Sequence, residues 1–139
     1  MANASDYLEQ SIYNFIFRNG TFAKPTPAIG LTLNVPNDSG AYVEVGAGLG
    51  YTRWPNASGT NVWSAMTAPG SGENLYQTFT FGPASADWGT VSGVIICDSA
   101  TVGQGNSNLL MHGALTSPRD VKQNDTFTFG LSSLKISIQ

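Results

Sequence analysis

The chain has 139 residues and a mass of 14.7 kDa, with nine acidic and six basic side chains, a net charge of −3 at pH 7 and a pI near 4.7. That length fits one domain with one core. The six cations, Arg18, Lys24, Arg53, Arg119, Lys122 and Lys135, are too scattered to track a phosphate backbone, so nucleic acid is excluded as an expected partner. Charged residues are 11% of the chain, against about 25% in an ordinary soluble domain, so its surface must consist largely of neutral polar groups.

The opening Met1-Ala2-Asn3-Ala4-Ser5-Asp6 lacks the basic region of a signal peptide, and no apolar run reaches membrane-spanning length. The expectation is a protein made in the cytoplasm with no membrane partner. Ser5 to Arg18 then contains neither Gly nor Pro and sets Leu8, Ile12, Phe15 and Ile16 at helical spacing. Ser5 is a suitable N-cap, Asp6 and Glu9 suit the positive end of a helix dipole, and Asn19-Gly20 supplies the stop. The apolar surface of this helix is wide, because Tyr7, Tyr13 and Phe17 lie beside the main stripe. Docking one face on a domain leaves rings uncovered, which makes Tyr7, Ile12, Tyr13, Phe15 and Phe17 the candidate assembly interface.

From Lys24 onward the period changes to short alternating runs bounded by Gly, Pro, Asn or Asp, the pattern of strands and turns. Strands are predicted at 29–35, 41–45, 51–54, 61–65, 75–81, 91–97, 109–115, 126–129 and 134–138. The stretch 68–72, rich in Gly and Pro, reads as a loop. With no helical pattern between strands, parallel βαβ units are excluded and antiparallel hairpins and Greek-key crossings remain. The predicted fold is all-β, an antiparallel, jelly-roll-like β-sandwich over residues 23–139, preceded by an N-terminal amphipathic helical arm over residues 1–22.

Catalytic chemistry finds little material. His112 is the sole histidine and Cys97 the sole cysteine; Cys97 ends the apolar run Val94-Ile95-Ile96 and reads as a small hydrophobe, not as a nucleophile paired with His112 and Asp98. One histidine excludes a multi-His zinc site, and no calcium-loop pattern occurs, so neither metal nor cofactor is expected. Glu44 and Asp87 could be imagined as a glycosidase pair, but carboxylates on separate strands are ordinary surface residues by default. Gly46-Ala-Gly-Leu-Gly50 precedes a strand-like run instead of a helix, so the dinucleotide and phosphate-loop readings fail. Trp54, Trp63 and Trp88 are the candidate sugar-stacking aromatics, with filling of the core as the plainer alternative.

Five groups of residues, taken in order, resemble a family of small bacteriophage virion proteins commonly called tail fibre proteins. They are Ser5-Asp-Tyr-Leu-Glu9, Gly50-Tyr-Thr-Arg53, Phe81-Gly-Pro-Ala-Ser-Ala-Asp-Trp-Gly-Thr-Val91, Cys97-Asp-Ser99 and Asn108-Leu-Leu-Met-His-Gly-Ala-Leu115. The likeness continues through Asp125-Thr-Phe-Thr-Phe129 to Leu134-Lys-Ile-Ser-Ile138, with Asn124 where members usually carry Gly, a position where Asn tolerates the same left-handed turn. The resemblance implies a non-enzymatic virion structural protein with no active-site residues. Two locations follow: a capsid cement or decoration protein, expected first, and a tail-fibre or receptor-binding module. By analogy with small β-rich cement proteins it implies a homo-oligomer, a trimer above others. Its partners would be the major capsid protein or tail proteins, with a host surface glycan as a further partner of the fibre module.

Overall fold

The computed structural model describes residues 2–66 and 70–138. Nine elements follow one another: β1 (Ala2–Ala4), α1 (Asp6–Phe17), β2 (Ala28–Thr32), β3 (Ser71–Glu73), β4 (Phe79–Phe81), β5 (Gly89–Cys97), β6 (Leu109–Val121), β7 (Phe127–Phe129) and β8 (Lys135–Ser137). The fold is all-β with one N-terminal helix, as the alternation of the sequence requires. Six strands form one sheet in the order β2-β5-β6-β1-β8-β3, and β4 pairs with β7 in a second, two-stranded sheet.

The long antiparallel pair β5–β6 is the spine of the large sheet. Val94 and Ile96 turn one way, beside Leu31 and Ile29 of the neighbouring β2, and join the main core. The small sheet closes that core with Phe79, Phe81, Phe127 and Phe129, all buried, the last three packed ring against ring at centroid distances of 5.1–6.4 Å. Edge-to-face contacts of this kind add to the area the rings bury, which explains how a two-stranded sheet of three-residue strands stays in place. Ile95 and Cys97 turn the other way and build a smaller cluster with Tyr42 and Leu109.

Several boundaries differ from the sequence pattern, each for a local reason. Residues 41–45 and 51–54 run beside β2, but make only the isolated bridges Thr32↔Glu44 and Ile29↔Trp54. Gly48 and Gly50, at φ 85° and 75°, turn the chain away between them. Residues 61–65 form a turn instead of a strand, with the Val62 and Trp63 amides both donating to the Gly59 carbonyl at 3.1 Å. The predicted loop 68–72 begins outside the described residues at Ala68 and Pro69, and its end, Ser71 and Gly72, belongs to β3. The sheet is mixed, not purely antiparallel: β1 runs antiparallel to β6 and parallel to β8, with Ala2 opposite Ile136 and Asn3 opposite Ser137.

Gly93, in the middle of β5, shows how tightly the chain lies over the sheet. A Cβ there would strike Thr32 Oγ1, come within 2.5 Å of Pro36 Cδ and 2.7 Å of the Asn34 carbonyl oxygen. Gly93→Ala is therefore expected to lower stability by about 1–3 kcal/mol through overpacking. A urea titration would show it as a lower midpoint with unchanged slope.

Candidate functional site

Two features organise the polar chemistry of the molecule, and the first is a buried ion pair. Arg53 follows Tyr51 by two positions, so the strand-like run Gly50-Tyr-Thr-Arg turns both side chains inward and leaves Thr52 in solvent. The Arg53 guanidinium grips Glu44 bidentately, Nε donating to Oε1 at 2.7 Å and Nη2 to Oε2 at 2.8 Å. Its Nη1 donates to the Ser99 carbonyl and to Ser107 Oγ, both at 2.8 Å, and Nη2 also reaches Tyr42 Oη at 3.3 Å. Glu44 accepts in addition from Tyr51 Oη and from the Gly103 amide, each at 2.7 Å. The side chains of the pair are 0% and 3% exposed. Every donor is thus committed, leaving none aimed at a ligand.

The electrostatics match this geometry. Burial pushes the Tyr42 phenol up to about 12, with Cys97 beside it adding to the rise and Arg53 opposing it. Burial and then Glu44 drive Tyr51 higher still. Desolvation, the largest single influence, would lower Arg53, but the hydrogen bonds to Glu44 together with the neighbouring Cys97, Glu44 and Tyr42 charges outweigh it and hold it above its ordinary value. Burial also raises the Cys97 thiol, whose neighbour is Tyr42 Oη at 3.9 Å. Cys97 and His112 are not brought together: His112 Nε2 lies 2.5 Å from Asp38 Oδ1. Nor do Glu44 and Asp87 meet, since Asp87 accepts from the Gln123 amide at 2.8 Å.

The second feature is α1, held at its first turn. Ser5 caps it by accepting from the Leu8 amide at 3.3 Å, and its own hydroxyl donates to the Leu109 carbonyl. The Ser5 amide donates to the Leu110 carbonyl at 2.9 Å and the Asp6 amide to the Asp38 carbonyl at 3.1 Å. Leu8 packs on the core and Ile12 is half-buried, yet no residue of the helix is fully buried. Toward the far end the apolar residues stand in solvent: Tyr13 is 57% exposed, Phe15 56%, Ile16 60% and Phe17 70%. Tyr7 is 40% exposed at the near end. Of the five residues read as an assembly interface, four are thus exposed and Ile12 is partly covered by the body.

The three tryptophans differ in exposure. Trp88 is 4% exposed, its Nε1 donating to the Leu49 carbonyl at 2.7 Å and its ring set edge-on to Tyr51. Trp54 and Trp63 flank Phe79 with centroids 5.6 and 5.8 Å away, and the Trp63 Nε1 is used on the Ala57 carbonyl. Trp88 is part of the core, and Trp54 and Trp63 pack against it while remaining partly exposed. The glycine loop likewise serves the interior, presenting the Leu49 carbonyl to Trp88 and to the Ser85 amide at 2.9 Å.

The Arg53–Glu44 pair is what sequence reading missed. Its one signal is an Arg two residues after a Tyr in an alternating run, in a chain with few charges to place. Among the described residues no group of three or more His, Cys, Asp or Glu could hold a metal ion.

Two outcomes test the network. Arg53→Met leaves Glu44 buried without its counter-charge and is expected to destabilise the fold by about 3–5 kcal/mol, more than the Arg53→Met/Glu44→Gln double variant, in chemical denaturation. For pH, a phenol raised from 10 to about 12 stays neutral in the folded protein after it has ionised in the unfolded chain. Its contribution is complete below pH 10 and drains away as pH rises through about 12. Unfolding free energy measured across that window should fall less steeply in Tyr42→Phe than in the wild type.

No curated protein matches the chain. A family model, Gp80, described as podophage GP4 fiber I protein gp80, matches residues 3–137.

Proposed function

Since the chain belongs to this family of podophage fiber proteins, and so is a bacteriophage virion structural protein, we propose that it is a non-enzymatic building block of the tail fibre apparatus. The observation that carries this reading is the match over residues 3–137, which takes in helix and sheets together and favours the fibre over the capsid-cement role expected first from size and composition.

The interior supports it. The residue groups that carry the family likeness act as internal fasteners. Ser5 caps and tethers α1, Tyr51 and Arg53 hold Glu44, Ser99 offers its carbonyl to Arg53, and Asp87 and Trp88 pin the chain at Gln123 and Leu49. Among the described residues no buried side-chain nitrogen or oxygen lacks a partner, so these groups are committed to holding the fold. The exposed aromatic end of α1 provides the contact to neighbouring subunits, which are tail proteins or further copies of this chain. No helix among the described residues is long and apolar enough to cross a membrane.

The decisive experiment is quantitative mass spectrometry of purified virions combined with antibody labelling in electron micrographs. The expected result is a copy number that is a small multiple of the tail symmetry, with label at the tail. Copies approaching those of the major capsid protein, with label over the shell, would overturn the fibre assignment in favour of cement.

A further inference from the structure

The long strand β6 is covered unevenly on its two sides. Toward β5 the register steps from Gly93↔Ala114 to Val91↔Arg119, so Leu115–Pro118 bulge opposite Ser92 alone. On the other side β1 covers only Met111 and His112, and from Ala114 onward no strand among the described residues pairs with that edge. β7 has β4 as its one neighbour, so its other edge is open as well. Residues of both strands line a groove of about 330 Å³, together with Ser133, Leu134 and Lys135. Val94, Phe127, Phe129 and Leu134 bring the main core to its surface. Two cations stand over it: Arg119, its guanidinium carbon 5.7 Å from the centre of the Phe127 ring, and Lys135. No carboxylate among the described residues lines the groove, and neither cation forms an ion pair there. Glu73, the register partner of Lys135, belongs to β3 on the far side of β8 and does not line it. In a chain of net charge −3, with Arg53 committed to Glu44 and Lys122 to Asp87 and Asp120, two of the four remaining cations meet at this one groove.

We propose that this groove receives an extended, acidic segment of another polypeptide, which adds as a strand to the open edge of β6. An unpaired edge offers a row of main-chain donors and acceptors that an incoming strand satisfies whatever its sequence, while its alternate side chains supply the selection. The lining states what is selected. Apolar side chains of the segment settle on Phe127, Phe129 and Leu134, and the carboxylates that alternate with them meet Arg119 and Lys135. Pro118 has no amide hydrogen to give, so the pairing centres on Ala114–Ser117. A small anion or an acidic sugar would use the two cations and leave the strand edge unpaired, whereas an acidic strand uses both features. The proposal does not rest on the fibre assignment, since the groove and its chemistry are those of this chain alone.

Amide hydrogen exchange of the full chain, read residue by residue with probes at concentrations on the order of 1 mM, tests it. The probes are an end-capped octapeptide alternating valine with glutamate, the same peptide with lysine for glutamate, the glutamate peptide interrupted by central prolines, and an oligogalacturonate. The glutamate peptide is expected to slow exchange at Ala114–Ser117 about tenfold, and the other three to leave it unchanged. Arg119→Gln/Lys135→Gln, which alters two exposed side chains and should keep the wild-type circular dichroism, is expected to weaken binding of the glutamate peptide about tenfold. No protection by that peptide, or equal protection by its lysine or proline-interrupted forms, would overturn the proposal. Protection by the oligogalacturonate to the same extent would overturn it too, in favour of a site for acidic sugars.

Discussion

A guanidinium and a carboxylate taken out of water together set the terms for the half of the molecule around β2. Arg53 and Glu44 lie on consecutive irregular stretches beside that strand, and neither stretch makes enough ladder bonds to hold its own register. The pair joins them at the side chain, and the remaining donors and acceptors reach the 98–108 connection through Ser99, Gly103 and Ser107. Three separate pieces of chain are thereby fixed by one bidentate contact. Burying such a pair yields little net stability, because desolvation offsets most of the attraction. What it supplies is position: with every lone pair and proton used, only one arrangement of the three segments is satisfied. Gly30 reflects the same constraint, since a Cβ there would come within 2.9 Å of both Glu44 Oε1 and Tyr51 Oη.

The helix is held by a different principle. It is fastened by main-chain and hydroxyl hydrogen bonds at Ser5 and Asp6, and its body contributes only Leu8 and the partly covered Ile12 to packing. A cap fixes where a helix begins without burying the far end. The direction of α1 is thus set by the sheet, while its last turns are left to other contacts, and the charge-poor surface around it makes such contacts inexpensive to desolvate.

Much of this was legible in the residues. The helix runs from Asp6 to Phe17, within one residue of its expected ends, because capping and stop signals are local chemistry that no distant contact overrides. The strands at β5, β6 and β7 follow from alternation. Ala2–Ala4 gave no sign of being a strand, since Ala-Asn-Ala has neither the propensity nor the apolar alternation; its pairing is imposed entirely by β6 and β8. The tryptophans illustrate a second limit. Composition shows that a ring exists but not which side of the sheet it takes, and here Trp54, Trp63 and Trp88 all turn toward the core. The exposed helix end, by contrast, was readable, because a stripe too wide for one surface is a property of spacing alone.

The place of β1 in the sheet also fixes an order of events during synthesis. β1 lies between β6 and β8, two strands far downstream in the sequence, so it pairs only after both have been made. The same holds for the Ser5 part of the tether of α1, whose partners are the carbonyls of Leu109 and Leu110. Pairings this distant in sequence are slow to form. Until they do, the aromatic helix lacks its Ser5 anchors, and its contact to Asp38 is the nearer of its tethers in sequence. The angle at which the helix is displayed is thus a property of distant strands and not of the helix's own sequence.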